Sequence, residues 1–577
     1  MSENLHRGEE RGKPAARRRW RVYIPAIVAL LLLAAGIGVV ILEPTRNGSP
    51  QRQVRALVAE LERRESDDWL SKLLRKYFPD YGEGRCYVEV ANAMSALGVE
   101  AVPEIITAAN HRLPSVRCAA ARALGKIGDR RAVRPVADLL VRDSDSDVRN
   151  SAVFALGQLS GPEAAARLIE VMADSQPRVR ARVAMSLGEV GGSEAKARLI
   201  EAMGDPKPDV RREVALALGK VGGPEARSRL IEAMADSDEH VRGRVAWELG
   251  KFGGPEATAR LIEAMTDSEP TVREAAAATL GHIGDVVATN VLMRALEDKE
   301  DNVRVAAARA LGHICESQCL PRLIELLKDP AKEVRDTAAR ALGEMGDPAA
   351  VDPLLAAVKD TDGDVRRAAV LALGEIGDSR VTPVLLAAFR DGDHHIRGMA
   401  AFSLGLLREP RAIGELIAAL NDDDRIVRIH APFALALQKR PEAVPALAAA
   451  LRGKDNWSST SAFDAAVGLA LIDTPDAKRA LAVGAREAAE PAVRRLAARA
   501  LAMPLVAAMT EELRGKDSAL HLYILYAFAY LRDPASLPAI EEVLNSPDSN
   551  IRYAARRAIR HIHRTNQAQA ASTPAQN

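Results

Sequence analysis

Along most of the chain the apolar positions fall into pairs of helical runs divided by polar turns, and the arrangement returns at a fixed interval. The dipeptide Val-Arg, once Ile-Arg, recurs every 31 residues at Val148, Val179, Val210, Val241, Val272, Val303, Val334, Val365, Ile396 and Val427. Residues 343 to 374 display one unit. Gly343 to Pro348 make a turn, Ala349 to Lys359 a first helix with Pro348 near its start, Asp360 to Asp364 a second turn, and Val365 to Leu373 a second helix. Val365, Ala369 and Leu373 stand at i, i+4 and i+8, so they form one stripe that predicts burial. Gly374 is expected to end this helix in the left-handed conformation. A short period built from two helical patterns and a turn predicts a solenoid, each unit completing its core against its neighbours.

The polar positions repeat as strictly. Asp143, Asp174, Asp205, Asp236, Asp267, Asp298, Asp329, Asp360, Asp391 and Asp422 each stand six residues before an arginine: Arg149, Arg180, Arg211, Arg242, Arg273, Arg304, Arg335, Arg366, Arg397 and Arg428. Eight residues after each repeat valine or isoleucine comes a leucine, followed by glycine in nine successive units from Leu156 to Leu404 before Leu435-Ala436 breaks the pattern. This set, Asp-x5-Arg with Val-Arg-x-x-Ala-Ala-x-x-Leu-Gly and then Gly-Asp-Pro, resembles the HEAT repeat, in the short form of phycobilisome-lyase-type HEAT-like proteins. The resemblance covers most of residues 86 to 563. It implies an all-α fold, a right-handed α-solenoid of about 15 helix pairs. It also implies that aspartate and arginine, as at Asp174 and Arg180 and their equivalents, link neighbouring repeats in a hydrogen-bonded ladder. Physical chemistry agrees, since a charge-assisted bond satisfies a half-buried charge and fixes the stacking register.

The ends of the chain differ. Residues 1–21 form a basic tail with Arg7, Arg11, Lys13, Arg17, Arg18, Arg19 and Arg21, and residues 22–42 carry no charge. An uncharged run of that length spans about 32 Å as a helix, matching a bilayer core. It predicts a single transmembrane signal anchor, with a cleaved signal peptide as the competing reading. The excess of positive charge before the run, against Arg46, Arg52 and Arg55 after it, predicts a cytoplasmic N-terminus and an exported array, periplasmic if the source is bacterial. Residues 43–51 read as a linker and 52–85 as a helical cap, with Trp69, Tyr77, Phe78, Tyr81 and Tyr87 clustered. Regular repeats are expected over 86–437, the ladder beginning at Asp143 because His111 stands where the preceding aspartate belongs. Degenerate repeats follow over 438–563, with second helices near Ser461, Val493, Leu520 and Ile551, and then a disordered tail, 564–577. Tyr523, Tyr526 and Tyr530 are expected to be packing residues of a late repeat.

Composition narrows the function. The chain has 577 residues, 48 % apolar and 3 % aromatic, which suits close helix packing rather than a deep cofactor cavity. Lysine plus arginine number 79 against 78 acidic residues, so no basic face dominates and nucleic acid is not an expected partner. No phosphate loop, H-E-x-x-H or nucleophile-elbow motif occurs. His282 and His313 share a repeat position about 10 Å apart, too far for joint metal ligation. The His-Glu dipeptides of HEAT-like diiron hydroxylases are missing, and no catalytic, cofactor or metal residue is expected. Cys86 with Cys118, and Cys315 with Cys319, could form disulfides, or all four could be buried thiols.

One row remains informative. Six residues after the repeat valine stand Arg122, Phe154, Met185, Leu216, Trp247, Ala278, Arg309, Arg340, Leu371, Phe402 and Phe433. In a solenoid this row lines the concave surface, where extended partners bind. Apolar runs flanking Arg309 and Arg340 predict a groove for a protein segment carrying an acidic group; burial between curved neighbours is the plainer alternative. The expected function is a non-catalytic, membrane-anchored protein-binding scaffold. A lyase-like or small-molecule-binding enzyme subunit and a structural spacer in the cell envelope are the alternatives.

Overall fold

The structure, a computed structural model, describes residues 53–59 and 86–572 apart from 175, 315, 453–458, 516–517, 545 and 547. Among the described residues every regular element is a helix. The chain divides into two compact units, Met1–Ala226 and Arg227–Asn577.

Each unit is built from helix pairs whose boundaries follow from local chemistry. In the repeat read above, Asp347 accepts the Ala349 N–H at 2.9 Å and opens a 3-10 turn, Pro348–Ala350, that feeds the helix Val351–Ala357. Proline sits where its missing N–H costs nothing. Asp362 then caps the second helix, Gly363–Ile376, by accepting from Asp364 and Val365. Val365, Ala369 and Leu373 are fully buried, as their spacing requires.

Gly374 does not end this helix. It lies inside it, and the left-handed terminator is Gly377, with φ 79° and its N–H bonded to the Leu373 carbonyl. The glycine after the leucine serves a different end, the approach of the next helix. A Cβ at Gly281 would stand 2.7 Å from Ala310 Cα, and one at Gly374 would collide with Ser403. Glycine thus lets successive second helices meet backbone to side chain, which larger residues would forbid.

The arginine after each repeat valine reaches forward. Arg180 donates from Nε and Nη2 to Asp205 at 2.7 and 2.9 Å, and from Nη1 to the carbonyl of Asp174 in its own repeat at 2.8 Å. Arg242 with Asp267, Arg273 with Asp298, Arg304 with Asp329 and Arg335 with Asp360 repeat the fork. Arg397 reaches Asp422 through Nη2 alone, at 3.1 Å, and Arg149 stands 3.8 Å from Asp174. Arg211, Arg366 and Arg428 donate to the carbonyls of Asp205, Asp360 and Asp422. The aspartates, including Asp236 and Asp391, also accept the N–H two residues on. Each carboxylate therefore folds its own loop and can anchor its neighbour. The Arg273 guanidinium holds the Asp298 carboxyl below its ordinary range despite burial. The first rung precedes Asp143's own arginine. Arg117 forks onto Asp143 at 2.7 and 2.8 Å, and its Nη1 uses the carbonyl of His111, for which the side chain is immaterial.

The expected single-pass membrane protein with an exported array is corrected. Among the described residues no helix is long and apolar enough to cross a membrane, and segments 1–21, 22–42, 43–51 and 60–85 lie outside them.

Candidate functional site

The row six residues after the repeat valine falls on one face of the second helices. In the first unit Phe154 is 37 % exposed while Met185 and Leu216 are half-buried. The Arg122 guanidinium lies 5.6 Å over the Phe154 ring, and its Nε approaches Ser151 Oγ at 3.4 Å. In the second unit Trp247 is 46 % exposed, Arg309 and Arg340 are exposed, and Ala278, Leu371 and Phe402 are half-buried. Arg340 is held by Asp336 of its own helix at 2.9 and 3.1 Å.

Within the second unit the row is not uniformly open, because a late-repeat tyrosine lies on it. Phe402 and Phe433 stack at 5.6 Å, and Tyr530 stands edge-on to both, at 5.1 and 5.9 Å. Phe433 is left 7 % exposed and Tyr530 8 %. Of the tyrosine stripe, Tyr523 and Tyr526 stay exposed, whereas Tyr530 is buried against these earlier repeats.

One helical turn beyond the row, ten residues after the repeat valine, a second column runs through His282, His313, Glu344 and Glu375. The helix Ser549–Ser572 lies against it. Tyr553 Oη donates to Glu344 at 2.8 Å, Arg560 Nη1 to the His313 carbonyl at 3.0 Å, and Arg556 to the His282 carbonyl. Arg557 pairs with Glu375 and donates to Tyr530 Oη at 3.0 Å, while Tyr530 donates to Glu375 at 3.3 Å. The His313 ring meets Tyr553 at 4.9 Å, His282 at 6.4 Å, and through it Trp247 at 5.8 Å from His282. Burial pushes the His313 imidazole down to about 4, with Glu344 opposing and Arg560 reinforcing the shift; burial alone brings His430 to about 4. Burial raises Tyr530 and Tyr553.

Reading the sequence repeat by repeat missed this assembly. The available signal was the spacing of Tyr553, Arg556, Arg557 and Arg560, at i, i+3, i+4 and i+7, which puts four donors on one helical face.

Elsewhere, Cys118 is a buried free thiol, raised to about 11 by burial, and Cys319 is buried. The side chains of Cys86 and Cys315 lie outside the described residues, and with them both disulfide pairings. Among the described residues no group of three or more His, Cys, Asp or Glu could hold a metal ion.

No curated protein matches the chain significantly. Among solved structures, a Kap121p mutant is similar with a TM-score of 0.52 and 14 % identity, over 97 % of this chain and 76 % of that one. The likeness concerns the fold. The complex of CpcE and CpcF of phycocyanin lyase from Nostoc sp. PCC7120 matches at TM-score 0.33 and 24 % identity, over 40 % of this chain and 95 % of that one. Human deoxyhypusine hydroxylase matches at TM-score 0.21 and 26 % identity, over 43 % and 96 %. The model of the PBS lyase HEAT-like repeat matches residues 148–174. The model of HEAT repeats matches residues 88–157, 165–240, 229–312, 289–369, 351–431 and 413–502, more than half of the chain. The chain belongs to the HEAT-repeat family.

Proposed function

We propose that this HEAT-repeat array is a non-catalytic scaffold that holds another protein on its row, the first unit offering Phe154, Met185 and Leu216 and the second offering Trp247. The carrying observation is that Phe154 and Trp247 remain 37 % and 46 % exposed on a row whose other aromatic members, Phe402 and Phe433, are covered by Tyr530. Large aromatic side chains gain little by standing in water, and at interfaces they supply much of the binding energy. Within each unit the arginine forks tie successive helices together, so each unit's part of the row presents side chains at a set interval rather than on a mobile loop. Exposed Arg309 adds a cation for an acidic group on the partner. The near-balance of 79 basic and 78 acidic residues supports protein rather than nucleic acid as the partner class.

The test is partner retention by the full-length protein in extract of its own source, beside Phe154→Asp and Trp247→Asp variants of unchanged helicity. Retention of one defined protein that both variants lose supports the reading. Equal retention by the variants, or no retention by the native chain, overturns it.

A further inference from the structure

The column of His282, His313, Glu344 and Glu375 offers acceptors alone to the helix laid across it. His282 and His313 lie in the last turns of the helices Pro270–Ile283 and Asp301–Ile314. Carbonyls there have no partner within their own helix, and the helix dipole makes that end negative. Glu344 and Glu375 occupy the last turns of Lys332–Met345 and Gly363–Ile376 and extend the strip with carboxylates. A surface of carbonyls and carboxylates selects donors that carry positive charge or a hydroxyl, and the terminal helix supplies three arginines and a tyrosine on one face.

The two faces of that helix do different things. Ile551, Ala554, Ala555, Ala558 and Ile562 are buried, and the helix packs on Ser518–Leu531 and Leu537–Glu542 of the same late repeats. Toward the column it offers Tyr553, Arg556, Arg557 and Arg560, and one ring contact, Tyr553 with His313. Contacts of this kind can be exchanged bond for bond by a second helix with the same donors, so the penalty of stranding Glu375 without a cation need not be met.

We propose that this column is a recognition site for a basic amphipathic helix with the spacing Tyr-x-x-Arg-Arg-x-x-Arg, and that the chain's terminal helix is its occupant in cis, displaced when a partner protein presents such a helix. The site adjoins Trp247 through His282, so the inference deepens the scaffold reading and rests on it: the terminal helix regulates how much of the surface a partner can use.

The probe is a fluorescein-labelled synthetic peptide with the sequence of residues 549 to 563, titrated into the full-length protein. A tethered occupant competes at an effective concentration of about millimolar, so the native chain binds the peptide at least about ten-fold more weakly than a Tyr553→Ala, Arg557→Ala chain whose own helix is released. Adding Glu344→Gln and Glu375→Gln to the released chain abolishes the gain, as does Arg557→Ala in the peptide. If releasing the helix brings no tighter peptide binding at native helicity, or if the two glutamines leave binding unchanged, the proposal is overturned. Should the released chain lose helicity, Arg556→Ala with Arg560→Ala, which leaves the Arg557–Glu375 pair in place, gives the same reading with the same outcomes. Retention of a partner through Phe154 and Trp247 is scored on separate variants, so failure of the peptide experiment beside intact retention removes this inference alone.

Discussion

The repeats around Gly281, Gly312 and Gly343 and those after Lys439 use the same helices in opposite ways. In the first group each second helix meets the next at a glycine and is tied to it by an arginine fork, as Arg304 is to Asp329. The later repeats keep only the inner half of that device. Arg494 and Arg552 still donate to carbonyls six residues back, Ala488 and Ser546, but no aspartate stands at either position. Between them a local cluster, Arg495 and Arg499 on Glu512 at 3.2 and 2.6 Å, does the tying. Freed of the fixed register, the last helix spends its donors on repeats far back in the chain. Regular rungs make contacts between neighbours; their loss leaves polar side chains for long-range use.

The comparison breaks hardest at the glycines. Gly281→Ala puts a methyl against the Ala310 backbone, which cannot yield, and a loss of about 3 kcal/mol in urea unfolding is expected. Gly484→Ala in the later repeats meets the Leu451 side chain, which can rotate, and about 1 kcal/mol is expected. Equal losses would mean that the close approach is no feature of the regular repeats.

Rungs come next. Asp329→Ala strands the half-buried Arg304 guanidinium and should lower stability by about 2 kcal/mol, read from the urea midpoint. Arg552→Ala, which removes a donor to the Ser546 carbonyl, should cost less than about 1 kcal/mol.

A further effect is one of pH. A histidine held near 4 in the folded chain and free to protonate near 6.5 in the unfolded one lends stability that is present above 6.5 and lost as pH falls toward 4. Lowering pH from 7.5 to 5.5 should therefore cost about 1 kcal/mol through His313. His313→Gln should flatten this slope, and the protection of amides in the helix Ser549–Ser572, relative to their intrinsic exchange rates, should rise less on returning to pH 7.5. An unchanged slope would place the loss elsewhere, for instance at His430.

Much of this protein was legible in its sequence because a solenoid repeats one local solution. Val365, Ala369 and Leu373 announced a buried stripe, Pro348 announced a helix start, and the strict Asp-x5-Arg spacing announced a paired charge. These depend on contacts within one repeat or between adjacent ones, which a fixed period encodes directly. The use of Gly374 was harder to read. A glycine after a leucine suits a helix end as well as a close approach, and the backbone of the neighbouring helix decides between them. What only the tertiary structure decided was the fate of the row. Phe402, Phe433 and Trp247 share one repeat position and one chemistry, yet Tyr530 covers the first two and leaves Trp247 46 % exposed. Period fixes which residues lie on a face. Which part of that face the chain then covers depends on rotations accumulated over many repeats, and no single repeat carries them.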